Sequence, residues 1–246
     1  MNMHLSQIET AWNEIFRAHR GHDDESTRAM HEILLRYEGA IRRYLLALTR
    51  DSDLADELAQ DFAVRFLRGD FHRADPQRGR FRDLIKRAVH NLVIDANRRR
   101  KTRPIAAPPG SLEPIAPPET CADLDREFID CWRTEVLEHA WNELERSEKP
   151  GGAPYYTVLR FRVDHPELRS HEIADRLAIA LGRPTTAGWV RQTLSAARGK
   201  YLDLVIAEVA RTLGGPSDDR LEDELRNLGL WEYCRSAWLK RSRFDP

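Results

Sequence analysis

The chain has 246 residues, 41% hydrophobic and 32% charged, enough apolar material for one large or two small cores and too much for a wholly disordered chain. Net charge is −1, so bulk charge names no nucleic-acid partner and any such signal must be local. No apolar run of about 18 residues occurs, which excludes a helical membrane span, and the N-terminus shows no basic stretch followed by an apolar one. Three cysteines, Cys121, Cys131 and Cys234, form no CxxC pair and have no histidine at zinc-ligand spacing. They suit a reduced cytosol, so a cytoplasmic protein without metal or cofactor is expected.

In chain order, the first apolar periodicity spans residues 28–50, where Met30, Ile33, Leu34, Tyr37, Ile41, Tyr44, Leu45 and Leu48 recur at helical spacing. Residues 53–68 put Leu54, Leu58, Phe62 and Phe66 on one stripe. Residues 82–100 do the same with Leu84, Ile85, Ala88, Val89, Leu92, Val93 and Ala96. Three such stripes can bury one another as a small bundle. Residues 104–120 carry six prolines and read as a semi-extended linker. Lys149 to Pro154 reads as a loop, and Gly214-Gly215-Pro216 sets off a tail. No alternating strand pattern occurs. The expected fold is all-α: two small helical domains, 1–103 and 125–213, joined by a proline-rich linker over 104–124 and followed by an extension over 214–246.

The second helix is acidic. Asp51, Asp53, Asp56, Glu57 and Asp61 fall within eleven residues, with no lysine or arginine among them. Spacing of four places Asp53, Glu57 and Asp61, and likewise Asp56 and Gln60, on a face away from the apolar stripe. The plain reading is a solvated face; the sharper one is a docking surface for a basic partner. A third is magnesium–diphosphate chemistry, since Asp53-x-x-Asp56-Glu57 is similar to the aspartate-rich motif of all-α prenyl synthases. Its only second motif, Asp218-Asp219 with Glu222-Asp223, lies in the tail.

The third helix is basic. Residues 80–103 carry nine Arg/Lys and two acids, Asp83 and Asp95. With the apolar stripe inward, Lys86, Arg87, Asn91, Arg98 and Arg99 project outward, suited to phosphate contacts. Asn91 and Asp95, four apart, can present an amide and a carboxylate to bases or to a neighbouring loop. The loop before it, Gly69 to Gly79, holds Phe71, His72 and Arg73 among glycine and proline, chemistry for unstacked bases, and Arg80 opens the basic stretch. The plain alternative for the arginine run is a solvated helix end.

Residues 170–201 read as a helix, a turn and a second helix. Ser170 is the expected N-cap and Gly182 the stop, with Thr185 or Thr186 capping the next helix. Ile173, Ala174, Leu177 and Leu181, then Val190, Leu194, Ala197 and Tyr201, face inward. Trp189, Arg191, Gln192, Ser195 and Arg198 are left outward as candidate readers of a major groove. Helix pairs of this pattern also occur in proteins that bind no DNA.

The order of acidic helix, loop, basic helix, proline-rich linker and helix-turn-helix resembles the extracytoplasmic-function (ECF) group of sigma-70 factors, which keep only regions 2 and 4. Ala55-Asp56-Glu57-Leu58-Ala59-Gln60-Asp61-Phe62 is similar to the family's region 2.2 motif. Gly79-Arg80-Phe81-Arg82 and Asn91 through Arg100 are similar to regions 2.3 and 2.4. Gly188 through Arg198 aligns with the region 4.2 recognition helix. The pattern before Gly79 and that before the helix-turn-helix resemble a branch common in planctomycete-type bacteria. The resemblance implies that Asp53, Asp56, Glu57, Gln60 and Asp61 dock on the clamp helices of the polymerase β′ subunit. It implies that Phe71, His72, Arg73, Arg80, Lys86, Arg87, Asn91, Asp95, Arg98 and Arg99 take the −10 element. Thr185, Thr186, Trp189, Arg191, Gln192, Ser195 and Arg198 would take the −35 element, with the β flap a further contact.

No covalent chemistry is expected. A dedicated anti-sigma factor, a Ser/Thr kinase or the tail itself are the candidate regulators. The turn from Leu181 to Ala187 is longer than the family norm, and Trp189 and Ala196 stand where small polar or basic residues are usual. The tail lies outside the family core and is expected to add a helix packed on region 4. A helix-turn-helix repressor or activator that works without polymerase is the alternative function; an interaction-only adaptor is another.

Overall fold

A computed structural model of the protein describes residues 24–68, 70, 81–102, 121–213 and 217–242. Among these residues there are nine helices and no strand. They are α1 (Asp24–Thr49), α2 (Ser52–Leu67), α3 (Phe81–Thr102), α4 (Cys121–Ser147), α5 (Tyr155–Asp164), α6 (Ser170–Leu181), α7 (Ala187–Arg211), α8 (Asp218–Asn227) and α9 (Trp231–Ser242). The all-α expectation holds. The linker 104–120 and residues 214–216 lie outside the described residues.

The helices group into two compact units. One draws on Met1–Glu135 and Val209–Leu228, the other on Val136–Glu208 and Gly229–Pro246. The division thus falls inside α4 and α7, two long helices that contribute to both units.

In the first unit, α1, α2 and α3 bury the stripes their sequences announce. Tyr37, Ile41, Tyr44 and Leu45 of α1, Leu58, Phe62 and Phe66 of α2, and Ile85, Val89, Leu92 and Val93 of α3 are all buried. α2 starts cleanly because the Asp51 carboxylate accepts from the Leu54 N–H at 3.1 Å. The N-terminal half of α4 joins this bundle. Trp132 stacks on Tyr37 at 4.8 Å between ring centroids, and Phe128 meets Tyr44 edge-on at 4.9 Å. Glu135, also buried, bonds to Arg43 of α1. Gly39 allows that approach, since a Cβ there would lie 2.5 Å from the Glu135 carboxylate. Cys131 sits in the same apolar setting, and burial pushes its thiol up to about 11.

The second unit holds the helix-turn-helix. Its core is Leu144 of α4, Val158 and Leu159 of α5, Ile173, Ala174 and Leu177 of α6, and Val190, Leu194 and Ala197 of α7. Gly182 ends α6 in the left-handed conformation, φ 62 and ψ 24, as its sequence position predicts. The expected Ser170 cap is corrected: Ser170 is the first residue of α6 and Arg169 takes the cap position. The reason is Glu172, whose carboxylate accepts from the Arg169 N–H at 2.7 Å and fixes the start one residue earlier.

The tail forms two helices that divide between the units: α9 belongs to the unit that holds the helix-turn-helix, as expected of an added helix, whereas α8 belongs to the unit built on α1–α3.

Candidate nucleic-acid interface

The acidic face of α2 separates into two kinds of carboxylate. Asp53 and Glu57 are exposed, with Gln60 beside them. Asp56 instead accepts two hydrogen bonds from Arg42 of α1, at 2.6 and 3.2 Å, which holds its carboxyl below the usual range. Asp61 is bidentate to Arg65 one turn along the same helix, at 3.1 and 3.0 Å. That hydrogen-bonded pair, with Asp95 and Asp70 within electrostatic reach, raises the Arg65 pKa. Asp95 is half-buried on α3, so it lies near a cation of the bundle itself.

Helix α3 presents Arg87, Asn91, Arg98 and Arg99 as exposed side chains, as predicted from the inward stripe. Arg87 bonds to the Asp83 carbonyl at 3.2 Å. Lys86 is only partly exposed because it pairs with Asp125 of α4. Phe71, His72, Arg73 and Arg80 lie outside the described residues.

On α7, Arg191, Gln192, Ser195 and Arg198 share the exposed side, opposite Val190, Leu194 and Ala197. The two threonines divide the capping work. The Thr186 hydroxyl accepts from the Trp189 N–H at 3.2 Å, while the Thr185 hydroxyl turns back and donates to the Ala174 carbonyl of α6 at 2.6 Å. Trp189 is not fully outward, as its position suggested. It is half-buried against the core, and Arg183 lies over its ring at 5.2 Å.

Comparison with known families bears on the first of these surfaces. Residues 33–103 match the sigma-70 region 2 family. The match covers less than a third of the chain, but it contains the whole acidic helix, the loop and the whole basic helix. What it shows is that this stretch is similar to region 2 of the sigma-70 family. No curated protein and no solved structure matches the chain.

Two residues of consequence in the first unit were not among the expected site residues: Arg82 of α3 and Glu224 of α8. Arg82 Nε lies 2.6 Å from Glu224 Oε1, and Nη2 donates to Oε2 at 3.3 Å. Both side chains are buried, at 6% and 0% exposure. A sequence signal for this pair exists. Arg82 falls three residues before Ile85 and seven before Val89, on the inward stripe of α3, and Glu224 falls between Leu221 and Leu228 on the inward stripe of α8. A charge on an apolar stripe requires an opposite charge facing it. Among the described residues no helix is long and apolar enough to cross a membrane, and no group of three His, Cys, Asp or Glu is placed to hold a metal.

Proposed function

We propose that this protein is a sigma factor of the extracytoplasmic-function type, similar to the planctomycete-like branch, acting in the cytoplasm. Residues 1–103 serve as region 2, 125–213 as region 4, and 104–124 as the linker between them. The observation that carries the reading is the region 2 match over 33–103, because it spans an acidic helix and a basic helix together. A protein that only binds DNA has little use for the exposed Asp53 and Glu57, which repel phosphate; a basic clamp on the polymerase β′ subunit is the partner they fit. Asp56, Gln60 and Asp61 complete that docking face.

In this mechanism α3 and the loop before it take the −10 element through Phe71, His72, Arg73, Arg80, Lys86, Arg87, Asn91, Asp95, Arg98 and Arg99. Helix α7 takes the −35 element. Arg191 and Gln192 are the base readers, since both can bond bidentately in the major groove. Ser195 and Arg198 reach bases or phosphate, and Thr185, Thr186 and Trp189 shape the entry of the helix. The β flap would seat region 4. Each half binds weakly alone, and tethering raises the effective concentration of the second contact. An anti-sigma factor or a Ser/Thr kinase would act on the assembled surfaces.

Run-off transcription with core polymerase on promoter fragments tests the reading. Promoter-dependent transcripts are expected; their absence from every genomic fragment would overturn it, and binding to an operator without polymerase would favour a helix-turn-helix repressor. In the same assay Arg191→Ala should change the preference among −35 sequences by about 1–3 kcal/mol. An equal loss on all −35 sequences would make Arg191 a phosphate contact.

A further inference from the structure

Arg82 and Lys86 are one turn apart on α3, so they share a side of the basic helix. Both are occupied by carboxylates from outside the region 2 match. Glu224 of α8 takes Arg82, and Asp125 of α4 takes Lys86. Helix α8 is itself acidic, with five carboxylates against two arginines. It is seated through Leu221, Leu225 and Leu228, all fully buried, and Arg133 of α4 reaches the Leu228 carbonyl at 3.4 Å.

The chemistry of these contacts is that of a replaceable ligand. A carboxylate facing an arginine fork offers the same oxygen acceptors as a DNA phosphate. A buried ion pair also gains little net free energy, because both ions give up their hydration to form it. Removing one partner alone leaves a buried charge at a large cost, so the carboxylate leaves only as another anion takes its place.

We propose that α8, with Asp125 of α4, is a built-in acidic cover over the first turns of α3, and that DNA engages Arg82 and Lys86 only once the cover lifts. The exposed Arg87 and Asn91 further along α3 make the first encounter. The proposal rests on the function proposed above, because Lys86 is assigned to the promoter, while Arg82, on the inward stripe, is reached only once α8 has moved away.

The double variant Glu224→Gln with Asp125→Asn keeps both shapes and removes both charges. Binding of the full-length chain to a fluorescein-labelled random-sequence duplex is read by anisotropy across a salt series. Affinity at low salt should rise by about tenfold, and the slope of log K against log salt should steepen by about 1 for each side chain released. Asp218→Asn with Asp219→Asn removes the same charge from exposed positions on α8; an equal steepening there overturns the cover, because it reports net charge alone. A second measurement needs no variant. In the wild-type chain, the amides of α8 should lose hydrogen-exchange protection when the duplex binds, and unchanged or greater protection overturns the cover. Run-off transcription separates the two readings. Transcripts from a chain whose α8 stays protected on DNA remove the cover alone, whereas no transcript from any promoter removes the function and the cover with it.

Discussion

Trp132→Ala is expected to lower the unfolding free energy by about 3–5 kcal/mol. Trp132 is completely buried, stacks on Tyr37 of α1 and lies 5.8 Å from the Phe128 ring. Alanine would remove the largest fully buried side chain of the described residues and leave a cavity that two aromatic neighbours cannot close without moving. The residue lies outside the stretch that matches region 2. The result therefore decides whether α4 completes that bundle. Urea denaturation followed by circular dichroism reads it. A change within about 0.5 kcal/mol, the size of an ordinary surface substitution, would place α4 outside the core.

The second large effect concerns polymerase. Asp53→Arg with Glu57→Arg should weaken binding to core polymerase by about 100-fold, since like charges set against each other cost several kcal/mol and each 1.4 kcal/mol is about tenfold. Both carboxylates are exposed, so the thermal midpoint should hold. Asp56 is the poorer choice for this experiment despite its place in the same motif. It is bonded twice to Arg42, and an arginine there would set two cations against each other between α1 and α2. Fluorescence-detected binding of the labelled chain to core enzyme measures the loss. An unchanged affinity would remove α2 as the docking face.

These two expectations lie on either side of what a sequence reading reaches. The inward stripes of α1, α2 and α3 were legible because helical periodicity is local: a residue and its partner four along are fixed by the same turn. Gly182 was legible for the same reason, as a left-handed stop has a strong residue preference. The outward set Arg191, Gln192, Ser195 and Arg198 followed from the stripe of Val190, Leu194 and Ala197. The position of Ser170 did not follow, because Ser and Glu172 compete over one residue of helix start, and only the observed carboxylate contact decides between them.

The long-range partners were beyond reach. A stripe says that a face is buried, not against what. Nothing local tells α8 to meet α3 across 142 residues of sequence. Trp132 and Glu135 mark an inward face of α4, yet the proline-rich segment before α4 argued for a boundary there. By itself, then, the sequence determined an all-helical chain, its acidic and basic helices and the inner and outer sides of the helix-turn-helix, because each depends on contacts within a turn or two. Tertiary structure alone decided that Asp56 is spent on Arg42, that Trp189 turns toward the core, and that Arg82 and Lys86 of the basic helix are met by Glu224 and Asp125. Each of those outcomes depends on which distant surface desolvates a side chain, and desolvation is a property of the packed chain.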